Sequence, residues 1–497
     1  MSATDVKDSV APGEPELSSS FAERFPELGA ESKAIDAPAP EPVIVNDALA
    51  EFLGIDVDWL NSDDGTAFLA GIKLPAGSAP IAMAYAGHQF GGYSPVLGDG
   101  RAILIGEVAD ADGELEDIHL KGSGRTPFSR GGDGLATLPA MLREYLMAEA
   151  MHALAVPTSR GLGVVTTGLG VRREKIEAGA VLARVARSHI RVGTFEFTAR
   201  RDPELVRELV DYSLERHYPE LADAEVPALA LLEAVANAQA KLIAKWMLLG
   251  FVHGVMNTDN VLISGETIDY GPCAFLETHD PATVFSSIDR HGRYAFGNQP
   301  VIGQWNLARL AETLLPLIDD DGDEAVAKAT IVLESFPGLL KEHWLEGMAS
   351  KIGLVGQHDQ ALGALASELV EMMTRSEADH TLTFRALAKV LRGETPSDFA
   401  LASDSAWENW SQRWQDALGD ADKTEVAAAM DAVNPVYIPR NHLVEEALSA
   451  AGEGNLEPFQ QLLDVTTSPY VERDGLERYG EPAPTGFTES YQTFCGT

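Results

Sequence analysis

Apolar residues recur along this chain with two different periods, and the change between them divides it. From about residue 80 to 125, short runs lie between Gly-rich turns. RAILIGEV (101–108) and EDIHLKGSG (116–124) alternate as half-buried strands do. LATLPAMLREYLMAEAMHALA (135–155) switches to helical spacing, with Pro139 in the first turn, where it is tolerated. GVVTTG (163–168) and AVLARVARSHIRVGTFEF (180–197) read as further strands. Beyond about 203 helices dominate: ELVRELVDYSLERHY, then 229–250 closed by Gly250, then segments near 304–318, 324–334, 360–374, 382–392, 405–417 and 441–451. No repeat of fixed period is present. PAPEPVIVND (38–47) reads as a Pro-rich lead-in to the first strands.

Composition narrows the class. The chain has 497 residues, 45% of them apolar, enough for a large buried core. No uninterrupted apolar run reaches the ~18 residues a membrane span needs. The first residues lack both a basic and an apolar region, so a cytoplasmic protein without a secretory signal is expected. The net charge of −39 argues against nucleic acid or an anionic membrane as partner. A solvated acidic surface accounts for that charge, and against it clustered arginines become informative. Two cysteines exclude a disulfide framework but leave room for one redox pair.

Several polar positions carry candidate chemistry. Gly98 and Gly100, beside Arg101 and just before a strand, would let backbone N–H groups approach a phosphate, or would simply form a turn. Lys121 ends an alternating run and Glu144 lies on the following helix. Such a pair holds phosphates in protein kinases, although Lys and Glu are also common surface residues. GGDGL (131–135) gives a second flexible turn carrying Asp133. Arg184, Arg187 and Arg191 form a cluster that reads either as an anion site or as internal ion pairing. In one extended strand Arg184 and Arg191 would face opposite sides, so a bend is required if both meet one ligand.

The segment HGVMNTDNVLI (253–263), followed by DYG (269–271), is the strongest signal. It parallels the kinase series H-R-D-x-x-x-x-N and D-F-G, except that Val255 stands where the kinase base would be. Asn260 and Asp269 are oxygen ligands of the type Mg²⁺ or Mn²⁺ prefers. The intervening VLISGETID reads as a hairpin that would bring them together. Asp259 is a carboxylate suited to accept a proton from a hydroxyl. His253 reads as a histidine that packs the loop. A capped turn alone poorly explains so many base- and metal-type residues in one short stretch.

Together, LGDGRA (97–102), HLKGSGRTPFSRGGDG (119–134), LREYLMAEAMHAL, HGVMNTDN, DYGPCAF (269–275), NPVYIPRNH (434–442) and the terminal FCGT closely resemble the selenoprotein O (YdiU) family, from about residue 40 to 497. The resemblance implies an α+β, protein-kinase-like two-lobed fold with a sheet-containing N-lobe, a larger helical C-lobe and family-specific extensions. The expected divisions are a disordered acidic tail (1–16), an N-terminal lobe with nucleotide-binding loops (17–200), a helical C-lobe with catalytic loop and metal site (201–480), and a C-terminal tail (481–497).

It further implies transfer of AMP from ATP, bound flipped relative to kinases, to Ser, Thr or Tyr hydroxyls of proteins. On matching positions, Gly98, Gly100, Arg101, Lys121, Asp133, Gly134, Arg184 and Arg191 would bind the nucleotide, with Glu144 paired to Lys121. Asp259 would accept the proton, and Asn260 and Asp269 would hold Mg²⁺ or Mn²⁺. Family members can join a cysteine at the position of Cys273 to one in the C-terminal tail, here Cys495; two free thiols are the alternative. GGYSPV before the glycines departs from the GVWAGQ of many relatives. UMP transfer from UTP with Mn²⁺ and a silent nucleotide-binding pseudokinase scaffold are the competing readings. The intact Asp259, Asn260 and Asp269 speak against the scaffold, and Val255 against phosphoryl transfer.

Overall fold

A computed structural model describes residues 13–357, 360–396 and 399–494. Most of the expected N-terminal tail (residues 1–12) and Cys495 lie outside the described residues. The fold is α+β. One antiparallel sheet runs Gly29–Glu31, Ile81–Met83, Ala102–Ala109, Leu115–Lys121, Ile176–Ala186, Arg160–Arg172, Glu41–Val45, and the short Ala136–Thr137 also pairs with Ile176–Ala186.

Period-two alternation decides what each face covers. Ile103, Ile105, Ile118, Leu120, Val165 and Val181 point into an apolar layer shared with the short helices Asp47–Phe52, Val57–Leu60 and Asp63–Leu69. Leu104, Val164 and Leu182 point the other way, into the main core with helix Leu138–Ala153. His119, Lys121 and Arg184 share the parity of this second face, so the strand that buries Leu120 on one side delivers Lys121 to the other.

The same core continues into helices Pro203–His217, Pro227–Leu249 and Gln299–Ile318, and Gly250 ends the middle one in the left-handed region (φ 71°). Helices Gln360–Arg375, His380–Leu391, Trp407–Leu418 and Lys423–Asp431 close around a separate cluster centred on Trp410 and Trp414. Helices Asn441–Gly452 and Glu457–Thr466 return to pack against Leu138–Ala153. No helix among the described residues is long and apolar enough to cross a membrane.

Three local expectations are corrected. The run read as strand to residue 197 ends at Ala186, and Val192–Ala199 is a helix. Its β-branched and aromatic residues are buried all round, so no period shows, and Thr194 Oγ1 accepts the Arg191 N–H at its start (3.1 Å). Residues 261–269 form no hairpin. Val261 O accepts from Val192 N (2.9 Å), and Ile263 and Thr267 donate to Ile190 O and Pro157 O (3.1 and 2.9 Å), so the segment pairs with its neighbours.

The helix expected at 324–334 runs from Gly322 to Lys351 through Pro337. Proline removes the donor to Leu333 O, which accepts instead from Gln304 Nε2 (2.7 Å). Helices Lys423–Asp431 and Glu457–Thr466 were not expected, and nor were the three short helices between residues 47 and 69.

Candidate active site

Lys121 ends its strand opposite Leu182, and Arg184 lies two residues along that partner strand, on the same face. Lys121 Nζ donates to Glu144 Oε2 (2.5 Å) and to Asp269 Oδ1. Arg184 Nη1 donates to Glu144 Oε1 (3.1 Å) and Asp269 Oδ1 (2.8 Å). Two cations thus bind two carboxylates in a compact square. Burial pushes the Asp269 carboxyl up, but Lys121 and Arg184 outweigh it and hold it well below the ordinary range. Asp269 adopts φ 64°, a left-handed conformation rare outside glycine, which aspartate tolerates.

Behind the square runs a second layer. Arg184 Nε donates to His119 Nδ1 (3.1 Å), leaving His119 Nε2–H for Asp99 Oδ2 (2.9 Å). Burial lowers His119 to about 4, in keeping with this neutral ring. Asp99 also accepts Met83 N–H (3.0 Å) and lies 3.6 Å from Arg191 Nη2. The Arg191 guanidinium stacks over the Tyr85 ring, 4.3 Å from its centroid, and donates to His189 O (3.0 Å). The bend required between Arg184 and Arg191 exists: the strand stops at Ala186 and a helix starts at Val192. Arg187 is not part of this assembly; it reaches Glu114 (2.9 Å).

Asp259 occupies a different setting. It lies in the one-turn helix Thr258–Asn260, where Oδ2 accepts from Gln89 Nε2 (3.3 Å) and buried Oδ1 has no partner. Burial raises its carboxyl to about 6 despite Gln89 and Arg191. Gly87 makes the space: a Cβ there would sit 2.6 Å from Asp259 Oδ1. The loop is fixed from outside. Thr258 Oγ1 donates to Glu196 Oε2 (2.5 Å), Glu196 holds His88, and Tyr294 OH donates to Asn257 Oδ1 (2.6 Å). Asn260 Nδ2 donates to Val255 O (2.9 Å), which aims its amide oxygen away from that carbonyl. His253 is buried between Gln299, which accepts its N–H (3.0 Å), and Ile268 O, which accepts from Nε2 (2.9 Å).

A single cleft of about 1140 Å³ is lined by every nucleotide, proton-transfer and metal candidate named from the sequence, Glu144 included. Gly98 (φ 68°) passes under Phe128, whose ring would lie 2.3 Å from an added Cβ. Asp133 stands at the exposed rim, where Arg173 Nη1 donates to its Oδ2 (2.7 Å). For a divalent ion the donor set fits. Asn260 and Asp269 line the same cleft and supply oxygens of the kind a divalent ion takes.

Cys273 is buried, donates to Tyr270 O (3.1 Å), and is pushed up to about 12 by burial. The C-terminal segment reaches the residue before it, Thr493 Oγ1 donating to Pro272 O (2.7 Å).

Asp99, His119, Tyr85, Gln89 and Glu196 were not singled out from the sequence. The first two had a readable signal: Asp99 sits between Gly98 and Gly100, and His119 shares its strand face with Lys121.

A cleft with cations bound to carboxylates on one wall and a partner-poor carboxylate on another has the charges that suit phosphate-bearing ligands. The family model described as "Protein adenylyltransferase SelO" matches residues 17–467. Relatives named "Protein nucleotidyltransferase YdiU" include one from Mycobacterium sp. (strain KMS), 55% identical over 97% of this chain and 99% of its own. Another, from Mycolicibacterium smegmatis, is 54% identical over 97% and 98%, and one from Cereibacter sphaeroides (strain ATCC 17025) is 55% identical over 94% and 96%. The chain belongs to the SelO family and is an enzyme of nucleotidyl transfer.

Proposed function

We propose that this enzyme transfers AMP from ATP to Ser, Thr or Tyr hydroxyls of proteins. The observation that carries the reading is the split between two carboxylates of one cleft, with Asp269 bound by Lys121 and Arg184 and Asp259 left with an unpartnered oxygen. In the reaction the acceptor oxygen bonds to the α-phosphorus, its proton passes to Asp259, and the bond from that phosphorus to pyrophosphate breaks. Lys121, Arg184 and Arg191 offset the charge that develops on pyrophosphate, and Glu144 keeps Lys121 in place. Gly98, Gly100, Arg101, Asp133 and Gly134 form the turns and rim against which the nucleotide lies.

Asn260 and Asp269 would hold Mg²⁺ or Mn²⁺, which supplies further neutralisation of phosphate charge when bound. Residues 17–200 and 201–480 act as the two lobes. Cys273 and Cys495 form the redox pair of the tail, which is tested by comparing C495S with wild type under oxidising and reducing conditions; identical behaviour ends that idea.

The test of the main reading uses ATP labelled at the α- or the γ-phosphate, with reduced enzyme, Mg²⁺ or Mn²⁺ and a cell extract. Protein-bound label from the α sample alone, lost in Asp259→Ala, is expected. Label from the γ sample makes the enzyme a kinase. Label from neither leaves UTP as donor or a scaffold role.

A further inference from the structure

A second groove, about 660 Å³, opens beside the catalytic cleft, and Phe90 and Ile288 line both. Three exposed apolar side chains meet in it: Val301 is 65% exposed, Ile288 48% and Phe90 38%. Phe90 also holds φ 53° at the tip of the hairpin that carries Gln89 to Asp259. An exposed aromatic in a strained conformation, tied by its N–H to Asn257 Oδ1 (3.1 Å), is held there by the catalytic loop itself.

The groove is basic in a chain that is acidic as a whole. Arg290, His291 and Arg293 line it in a chain of net charge −39. The carboxylate in the lining, Asp289, is turned inward and accepts Arg293 N–H (2.9 Å) and Tyr294 N–H (2.8 Å). Arg293 rests over Trp305, 4.7 Å from its ring centroid, with Nε and Nη2 unpartnered. A general acidic surface repels acidic partners, so a basic inlet at one place selects where they settle.

Direction completes the case. Lys121, Arg184 and Asp269 hold the phosphate end of the cleft, so an incoming hydroxyl must come from the side of Asp259, and Gln89–Phe90 is that side. We infer that this groove docks the acceptor protein as an extended segment bearing an apolar side chain and an Asp or Glu near the modified hydroxyl, an inference that rests on the transfer reading above. The apolar side chain packs on Phe90, Ile288 and Val301, and the carboxylate pairs with the exposed Arg290.

The experiment compares wild type, R290E and V301D with α-labelled ATP and three serine peptides that differ only in flanking residues: Glu-Leu, Lys-Leu or Gly-Gly. Wild type is expected to label the Glu-Leu peptide about tenfold better than the Gly-Gly one, through KM for the peptide. R290E should shift preference towards Lys-Leu, and V301D should erase the advantage of leucine. ATP-induced thermal stabilisation should be unchanged in both variants. Equal labelling of all three peptides by wild type, or an unaltered preference in R290E, overturns the docking groove alone. No label on any peptide while proteins of the cell extract take α-label overturns the groove alone; no label on peptides or extract overturns the transfer reading and the groove with it.

Discussion

Asp259 and Asp269 belong to one loop region and face one cleft, yet their surroundings push them in opposite directions. Asp269 accepts from Lys121 and Arg184, and its charge is held at any physiological pH. Asp259 has a neutral amide on one oxygen and nothing on the other, and burial lifts it to about 6. The residue type is the same; the neighbours set how tightly each holds a proton. In the proposed reaction, the carboxylate assigned to cations is the one surrounded by them, and the one assigned to take a proton is the one without them.

The contrast breaks most completely at Asp269. Asp269→Ala leaves Lys121 and Arg184 to Glu144 alone and should lower α-label transfer by about 10³-fold or more. Asp259→Asn should cost about 10²–10³-fold in turnover with ATP affinity kept, as measured by label transfer beside ATP titration.

The same variant sharpens the comparison through stability. A carboxyl raised from 3.8 to about 6 in the folded state binds its proton more tightly than in the unfolded chain. Its favourable contribution is therefore complete below about pH 4 and lost as pH rises through about 6. Metal-free Asp259→Asn should accordingly exceed wild type by about 1–3 kcal/mol at pH 8 and show little gain at pH 4, by denaturant unfolding at both. Equal stability at pH 8 would show that Asp259 is not desolvated.

Gly87→Ala tests position without touching the carboxylate. Its methyl would meet Asp259 Oδ1 at 2.6 Å, so the side chain must move, and transfer should fall by about 10-fold to 10²-fold with folding preserved by circular dichroism. The smallest effect belongs to Asp133→Ala. It breaks an exposed pair with Arg173, worth up to about 1 kcal/mol, so KM for ATP should change only a few-fold.

The amino-acid order settled a good deal unaided. Period-two alternation put Lys121 on a strand, helical spacing put Glu144 on the next element, and the spacing of Asp259, Asn260 and Asp269 singled out the loop. These are local regularities, set by backbone geometry and burial of one face, and they survive without knowledge of the fold.

Other features depended on partners distant in sequence. Val192–Ala199 is helical although its residues suggest strand, because tertiary burial on every side overrides propensity. The 261–269 segment pairs with residues 157, 190 and 192 instead of with itself. Gln304 caps the carbonyl that Pro337 leaves open, a remedy no local window contains. The unequal affinities of Asp259 and Asp269 for a proton were decided last and furthest away, by Gly87, Gln89, Lys121 and Arg184. A sequence names its carboxylates, but their electrostatics depend on distances that only the folded chain fixes.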